Sequence, residues 1–196
     1  MNEEVKVLTD SERIDQIAGH YKAIIELLGE DPAREGLLKT PMRAAKAMWY
    51  ITSGYRTDAR QALAQAMFEH EGSKVVMVRD IEFYSMCEHH ILPFFGHISV
   101  AYIPGDKIVG LSKLARTVDA CARKLQVQER LTSEIAQAVS DTLAAKGVLV
   151  ICEADHLCMK MRGVEKQQSR TTTIDYTGVF ADNAELRRDT LQALKA

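Results

Sequence analysis

Cys87-Glu88-His89-His90 and, far along the chain, His156-Leu157-Cys158 hold the residue types from which chemistry can be argued. Two soft thiolates and an imidazole suit zinc, and three protein ligands leave the fourth tetrahedral position to a water molecule, which is how a catalytic site differs from a structural one. A Cys-x-x-His pair recurs by chance; Cys158 strengthens it, because it lies beside a second histidine in a polar and basic run where a buried core cysteine would be out of place. Cys87, His90 and Cys158 are therefore the candidate metal ligands. Cys121 and Cys152 sit in apolar periodic stretches and read as small buried hydrophobes.

The chain around them is ordinary for a soluble globular domain with a helical extension: 196 residues, 46% hydrophobic, 27% charged. A net charge of −2 gives no whole-chain positive field to recruit nucleic acid, so an anionic partner must be small and met by local cations. The opening Met-Asn-Glu-Glu-Val-Lys lacks the basic start and apolar stretch of a secretory signal, and no apolar run reaches the roughly 18 residues that span a bilayer. The expected location is the cytoplasm, without membrane contact. Four cysteines without framework spacing fit that reducing compartment better than disulfides.

The elements that must position the site follow from periodicity. Residues 1–72 read as an N-terminal helical region. Thr9 and Glu12 form a capping-box signal ahead of Ile14, Ile17, Tyr21, Ile24 and Leu28, which recur at helical spacing as far as Gly29. Asp31-Pro32 begins a connection, Thr40-Pro41 supplies a cap and a first-turn proline for a helix toward Gly54, and a short helix is predicted over 59–69.

Residues 73–196 form the expected catalytic domain. Strand character runs over 75–84 and through the alternation of Ile98, Val100 and Tyr102 with His97, Ser99 and Ala101. A helix entered at Ser112 carries Leu114, Val118, Cys121 and Leu125; another carries Leu131, Ile135, Val139 and Leu143 up to Gly147. Strands return over 148–154 and 170–176, before a capped helix from Asp182. Strands, paired helices and strands again predict an α+β fold whose sheet is covered on one face.

Four blocks, Phe83-Tyr84-Ser85-Met86-Cys87-Glu88-His89-His90, Gly110-Leu111-Ser112-Lys113-Leu114-Ala115-Arg116, Gln126-Val127-Gln128-Glu129-Arg130-Leu131-Thr132 and His156-Leu157-Cys158-Met159-Lys160-Met161-Arg162-Gly163-Val164, closely resemble those of GTP cyclohydrolase I, in order and at the expected separations. The likeness covers nearly the whole chain from about residue 11. It departs from the family pattern at Gln167-Gln168, where Pro-Asn is usual, and at Arg170 in place of lysine.

The resemblance implies the tunnelling fold, an antiparallel sheet with two helices inserted between its strand pairs, assembled into a toroidal homodecamer with active sites at subunit interfaces. It implies conversion of GTP and water into formate and 7,8-dihydroneopterin triphosphate, the first step toward folate or other pterins, with Zn2+ held by Cys87, His90 and Cys158. His156 is the expected proton donor for imidazole opening, its ordinary pKa lying near operating pH; His89 is associated with ribose opening and rearrangement. Glu129 would accept the two adjacent N–H donors of guanine, and Gln128 beside it is a further expected substrate-binding residue. Ser112 would touch the ribose. Lys113 and Arg116 at a helix start, Arg162, and Arg43 from a neighbouring subunit would hold the triphosphate.

Three other readings stay open on sequence alone. A cytidine-type zinc deaminase needs a His-x-Glu block followed by Pro-Cys-x-x-Cys, which is absent. A structural zinc closed by Cys152, His89 or His156 would make the protein a binding module. A tunnelling-fold relative with a cysteine nucleophile is disfavoured, since metal coordination would withdraw Cys87.

Overall fold

Thr9 caps the first helix as its spacing to Glu12 predicts: the Thr9 hydroxyl accepts from the Glu12 N–H, the Glu12 carboxylate accepts from the Thr9 N–H, and α1 (Asp10–Leu27) follows. The structure, a computed structural model, describes residues 8–72 and 74–195; the opening residues 1–7, on which the expectation of no secretory signal falls, lie outside them. Two compact units are present, Met1–Ile51 and Thr52–Ala196. In the first, α2 (Thr40–Ile51) packs on α1, with Ala18 and Ala45 buried, while Ile24 and Leu28 of the expected apolar stripe stay exposed.

The second unit opens with a 3-10 turn (Ser53–Arg56) and with α3 (Ala59–Ala64), capped by the Asp58 carboxylate. That helix stops well short of Glu69 because Met67–Glu69 (β1) pairs antiparallel with Lys107–Val109 (β4) instead. The main sheet is built from β2 (Val76–Cys87), β3 (Leu92–Ile103), β5 (Leu125–Gln126), β6 (Gly147–His156) and β7 (Thr171–Gly178) in the order β5-β2-β3-β6-β7. All neighbours are antiparallel except the short parallel pair of β2 and β5. Between β3 and β6 the chain inserts α4 (Leu111–Ala122) and α5 (Gln128–Leu143). This is the tunnelling-fold arrangement, and α6 (Leu157–Lys160), α7 (Val179–Asp182) and α8 (Ala184–Lys195) complete it.

Sequence character changes at residue 72, but compactness divides the chain after Ile51, since α3 packs on α4 and Leu63 is fully buried in the main core. In that core Leu114, Val118, Leu131, Ile135, Val139 and Leu143 meet Phe83, Ile98, Val100, Tyr102, Val148 and Val150 from the sheet. The second face is also covered in part: Phe180 and Leu194 pack over Ala101, Ile103, Leu149 and Ile151.

Several expected ends move. Leu125 lies in β5, past the end of α4 at Ala122. The second paired helix ends at Leu143, where Ala144 takes a left-handed φ of 44°, and Gly147 opens β6 instead of closing the helix. Asp182 ends α7, and Asn183, whose side-chain oxygen accepts from the Leu186 N–H, caps the last helix.

One irregularity in β2 matters for placement. Its register with β3 slips between Val78 and Ile81, where one extra residue is accommodated as a bulge, Asp80 adopts φ 55°, and its N–H donates to Ser99 Oγ at 3.3 Å. Val76 and Val78 pack toward the helices before the bulge, and Ile81, Phe83 and Cys87 after it. At the far rim of this face the pairings Ser85–Phe94, Phe94–His156 and Ala154–Thr171 bring the ends of β2 and β6 and the start of β7 level.

Candidate metal centre and active-site cleft

At that rim the chain turns immediately after Cys87. The N–H groups of His90 and Ile91 both donate to the Cys87 carbonyl, at 3.4 and 2.8 Å, and Ile91 takes φ 51°, a conformation strained for a β-branched residue. The tight turn returns His90 toward Cys87, and α6 brings Cys158 to the same point: the two Sγ atoms and an imidazole nitrogen lie within 4.8 Å of one another. Tetrahedral zinc with Zn–S of about 2.3 Å and Zn–N of about 2.0 Å sets such atoms roughly 3.5 Å apart, so a contraction of about 1.3 Å at most closes the group on an ion.

The donor chemistry also fits. The Cys158 thiol is pushed above its ordinary range, first by burial and then by the neighbouring Cys87 sulfur. A thiol whose ionisation is opposed by burial and by a neighbouring sulfur is relieved by a divalent cation. Among the described residues no fourth His, Cys, Asp or Glu joins the group. Cys152 is fully buried in the core, its thiol pushed up to about 12 chiefly by burial, as is that of Cys121. His89 Nδ1 stands 4.0 Å from Cys87 Sγ. The trio thus lacks the closing ligand that a structural site requires.

His156, at the end of β6, stacks on Phe94 with ring centroids 4.6 Å apart and planes 6° from parallel. Its Nε2 lies 2.8 Å from Gln128 Oε1. Gln128 is only 2% exposed, and its Nε2 donates to the carbonyls of Cys152 (2.9 Å) and Thr171 (3.1 Å) and to Thr173 Oγ1 (3.2 Å). Two backbone acceptors fix which end of the amide is nitrogen, so the oxygen must face His156, and His156 Nε2 must carry the hydrogen. Burial lowers the His156 pKa, opposed by Glu129 and Asp155, and favours the neutral ring. Nδ1 is then the free lone pair.

Glu129 is the exposed second residue of α5. It shares with Cys87, His89, His90, His156 and Cys158 a cleft of about 290 Å3, whose wall also includes Gln128 and Thr171. The expected anion-binding residues lie elsewhere in the chain. Ser112 is exposed near the start of α4; Lys113, beside it, donates to Gln65 Oε1 at 2.8 Å; Arg116 is exposed one turn on. Arg162 is exposed in the segment after α6, and Arg43 is exposed on α2 in the first unit. None of them lines the cleft.

Sequence reasoning missed Phe94, Thr171 and the internal use of the Gln128 amide. Phe94 and Thr171 become visible only through strand register, which pairs Phe94 with His156 and Ala154 with Thr171. Nothing in the local pattern of Gln128 distinguishes a buried amide from a substrate contact.

Comparison with known proteins bears on the chemistry of this cleft. The family model of GTP cyclohydrolase I matches residues 17–195. A GTP cyclohydrolase 1 of Porphyromonas gingivalis is 56% identical over 172 residues, covering 88% of this chain and 89% of its own. One from Bacteroides fragilis is 51% identical over 185 residues (94% and 95%), and one from Campylobacter jejuni 53% over 168 (86% and 88%). With a match this long, running through the ligand turn, both inserted helices and the cleft, the chain belongs to the GTP cyclohydrolase I family.

Proposed function

We propose that this chain hydrolyses GTP with one water to formate and 7,8-dihydroneopterin triphosphate, the entry step to folate or other pterins. The observation that carries this is the convergence, in one cleft of a chain of this family, of an open Cys-His-Cys trio, a histidine of defined tautomer and a carboxylate on a helix start.

Cys87, His90 and Cys158 are the residues that would hold zinc. When bound, the ion supplies Lewis acidity, which brings the pKa of water from 15.7 to about 7. The neutral His156 ring, held by Gln128, presents Nδ1 to accept the proton of the attacking water and return it to the departing imidazole nitrogen. Phe94 holds the ring plane during both transfers. His89, beside the ligand His90, serves the later opening and rearrangement of the ribose. Glu129 accepts the two N–H donors on the edge of guanine, a pairing that adenine cannot offer.

Ser112 meets the ribose, and Lys113, Arg116, Arg162 and Arg43 meet the triphosphate. Their absence from the cleft of a single chain supports a site completed by other copies, with the homodecamer of the family as the assembly. Among the described residues no helix is long and apolar enough to cross a membrane; thiolate ligands kept reduced favour the cytoplasm.

The test is incubation of the zinc-loaded protein with GTP, followed by assays for formate and for a fluorescent pterin after oxidation. Cys158→Ser should lose metal and turnover together. Glu129→Gln should keep its zinc yet lose preference for GTP over ATP. Full activity and zinc content in Cys158→Ser would overturn the proposal.

A further inference from the structure

Arg130 follows Glu129 on α5, and its hydrogen bonds run toward the ligand turn. Nε donates to Gln126 Oε1 at 2.7 Å, while Nη2 pairs with the Glu88 carboxylate and lies 3.3 Å from the Leu125 carbonyl. Gln126 is fully buried, and its Nε2 is fixed by the Cys121 carbonyl at 3.1 Å and the Glu134 carboxylate at 2.8 Å. Glu134 is held in turn by Lys124 at 2.8 Å. With its nitrogen committed to two acceptors, the Gln126 amide presents its oxygen to Arg130.

Main-chain contacts act on the same turn. Cys87 pairs with Gln126 where β2 meets β5, and the Glu88 N–H donates to the Gln126 carbonyl at 3.0 Å. Glu88, the residue between Cys87 and the two histidines, is therefore gripped by backbone on one side and by a guanidinium on the other.

A partly exposed ion pair normally contributes little. This one differs because the guanidinium is oriented on a buried amide before it meets the carboxylate, a two-directional grip that an ammonium cannot reproduce.

We propose that Arg130 is a positioning residue for the metal centre, pinning the turn that carries Cys87 and His90 to the buried Gln126 through Glu88. The same side chain ties that turn to the helix start that presents Glu129. This inference rests on the reading of Cys87, His90 and Cys158 as metal ligands.

The test uses the full-length protein loaded with Co2+, whose thiolate charge-transfer and ligand-field absorption reports the coordination sphere, and measures Zn2+ affinity by competition with a chromophoric chelator. Arg130→Ala and Glu88→Ala are each expected to weaken Zn2+ binding by about 10–100-fold and to alter the cobalt spectrum. The double variant should be no weaker than either single one, because both remove the same grip. Arg130→Lys should recover only part of the loss.

Glu88 lies in an exposed turn, so its variant also guards against a mere folding defect at Arg130. Wild-type affinity and spectrum in Arg130→Ala would overturn the proposal, as would an Arg130→Ala defect with Glu88→Ala unaffected. If the unmodified protein shows no thiolate-to-cobalt band, the metal reading itself fails and this inference falls with it.

Discussion

Replacing Gln128 by Met keeps the length and volume of the side chain while deleting its amide, and the structure lets the consequences be separated. Lost are the donations to Cys152, Thr171 and Thr173 and the acceptor for His156 Nε2. At about 1 kcal/mol net for each of these four hydrogen bonds, the expected destabilisation is about 4 kcal/mol, and more where a buried partner is left unpaired. Because assembly contributes to measured stability, urea midpoints must be compared at one protomer concentration.

Catalysis should suffer differently. Freed from the amide, the His156 ring can take either tautomer, and kcat is expected to fall by about 100-fold, the lower end of what a positioned acid–base group contributes. The side chain is 2% exposed, so KM for GTP should stay within roughly threefold of wild type, the signature of an interaction made in the transition state rather than in binding. Steady-state kinetics on the folded fraction, with zinc content measured in parallel, gives both numbers. A variant with unchanged kcat and a tenfold higher KM would refute the reasoning, because the amide would then be touching substrate and not orienting His156.

His156→Ala should retain zinc and block formate release, whereas His89→Ala should still open the ring in part and accumulate a pyrimidine intermediate; identical chromatographic profiles of stopped reactions would remove that division of labour. The Asp155 carboxyl is held below its ordinary range mainly by the Lys160 ammonium, with Arg170 assisting, so this pair stabilises the fold above about pH 4 and ceases to do so as acid protonates it. Lys160→Met should therefore cost about 1 kcal/mol at pH 7, and the gap from wild type should narrow below pH 4; a gap constant down to pH 3 contradicts the assignment. A Cβ on Gly96 would sit 1.9 Å from the Glu153 carbonyl oxygen and 2.8 Å from Ala154 Cα. Gly96→Ala should destabilise by about 3 kcal/mol or more, seen as a lowered denaturant midpoint, and an unshifted midpoint would be inconsistent with that contact.

The clustering of Cys87, His90 and Cys158 was legible in the sequence because donor chemistry is local: Cys87 and His90 sit in one turn, and Cys158 stands out by its polar surroundings. Helix and strand order was legible for the same reason, since periodicity is written within each element. Ends were harder. The β1–β4 pair that cuts α3 short depends on a partner strand about forty residues away, and a helical pattern in one segment carries no trace of it. The least legible feature was the service layer under the site. That Gln128, Gln126 and Arg130 spend their hydrogen bonds inside the protein follows only once three strands and a helix are docked at one rim.

The bulge beside Asp80 gives the metal centre a dependence on chain length as well as on residue identity. In a strand, alternate residues face opposite sides, so every position downstream of an extra residue has its facing decided by that residue. Deleting one residue between Val78 and Ile81 would leave these two a regular two positions apart, so Ile81, Phe83 and Cys87 would keep both their face and their pairing with β3. Removal of two would make Val78 and Ile81 neighbours and turn Ile81, Phe83 and Cys87 toward the opposite face, leaving every candidate ligand present in the sequence and the trio dispersed in space. An alignment that treats this segment as a tolerant spacer would thus miss that a two-codon deletion remote from every candidate ligand acts as a ligand mutation, whereas a one-codon deletion does not.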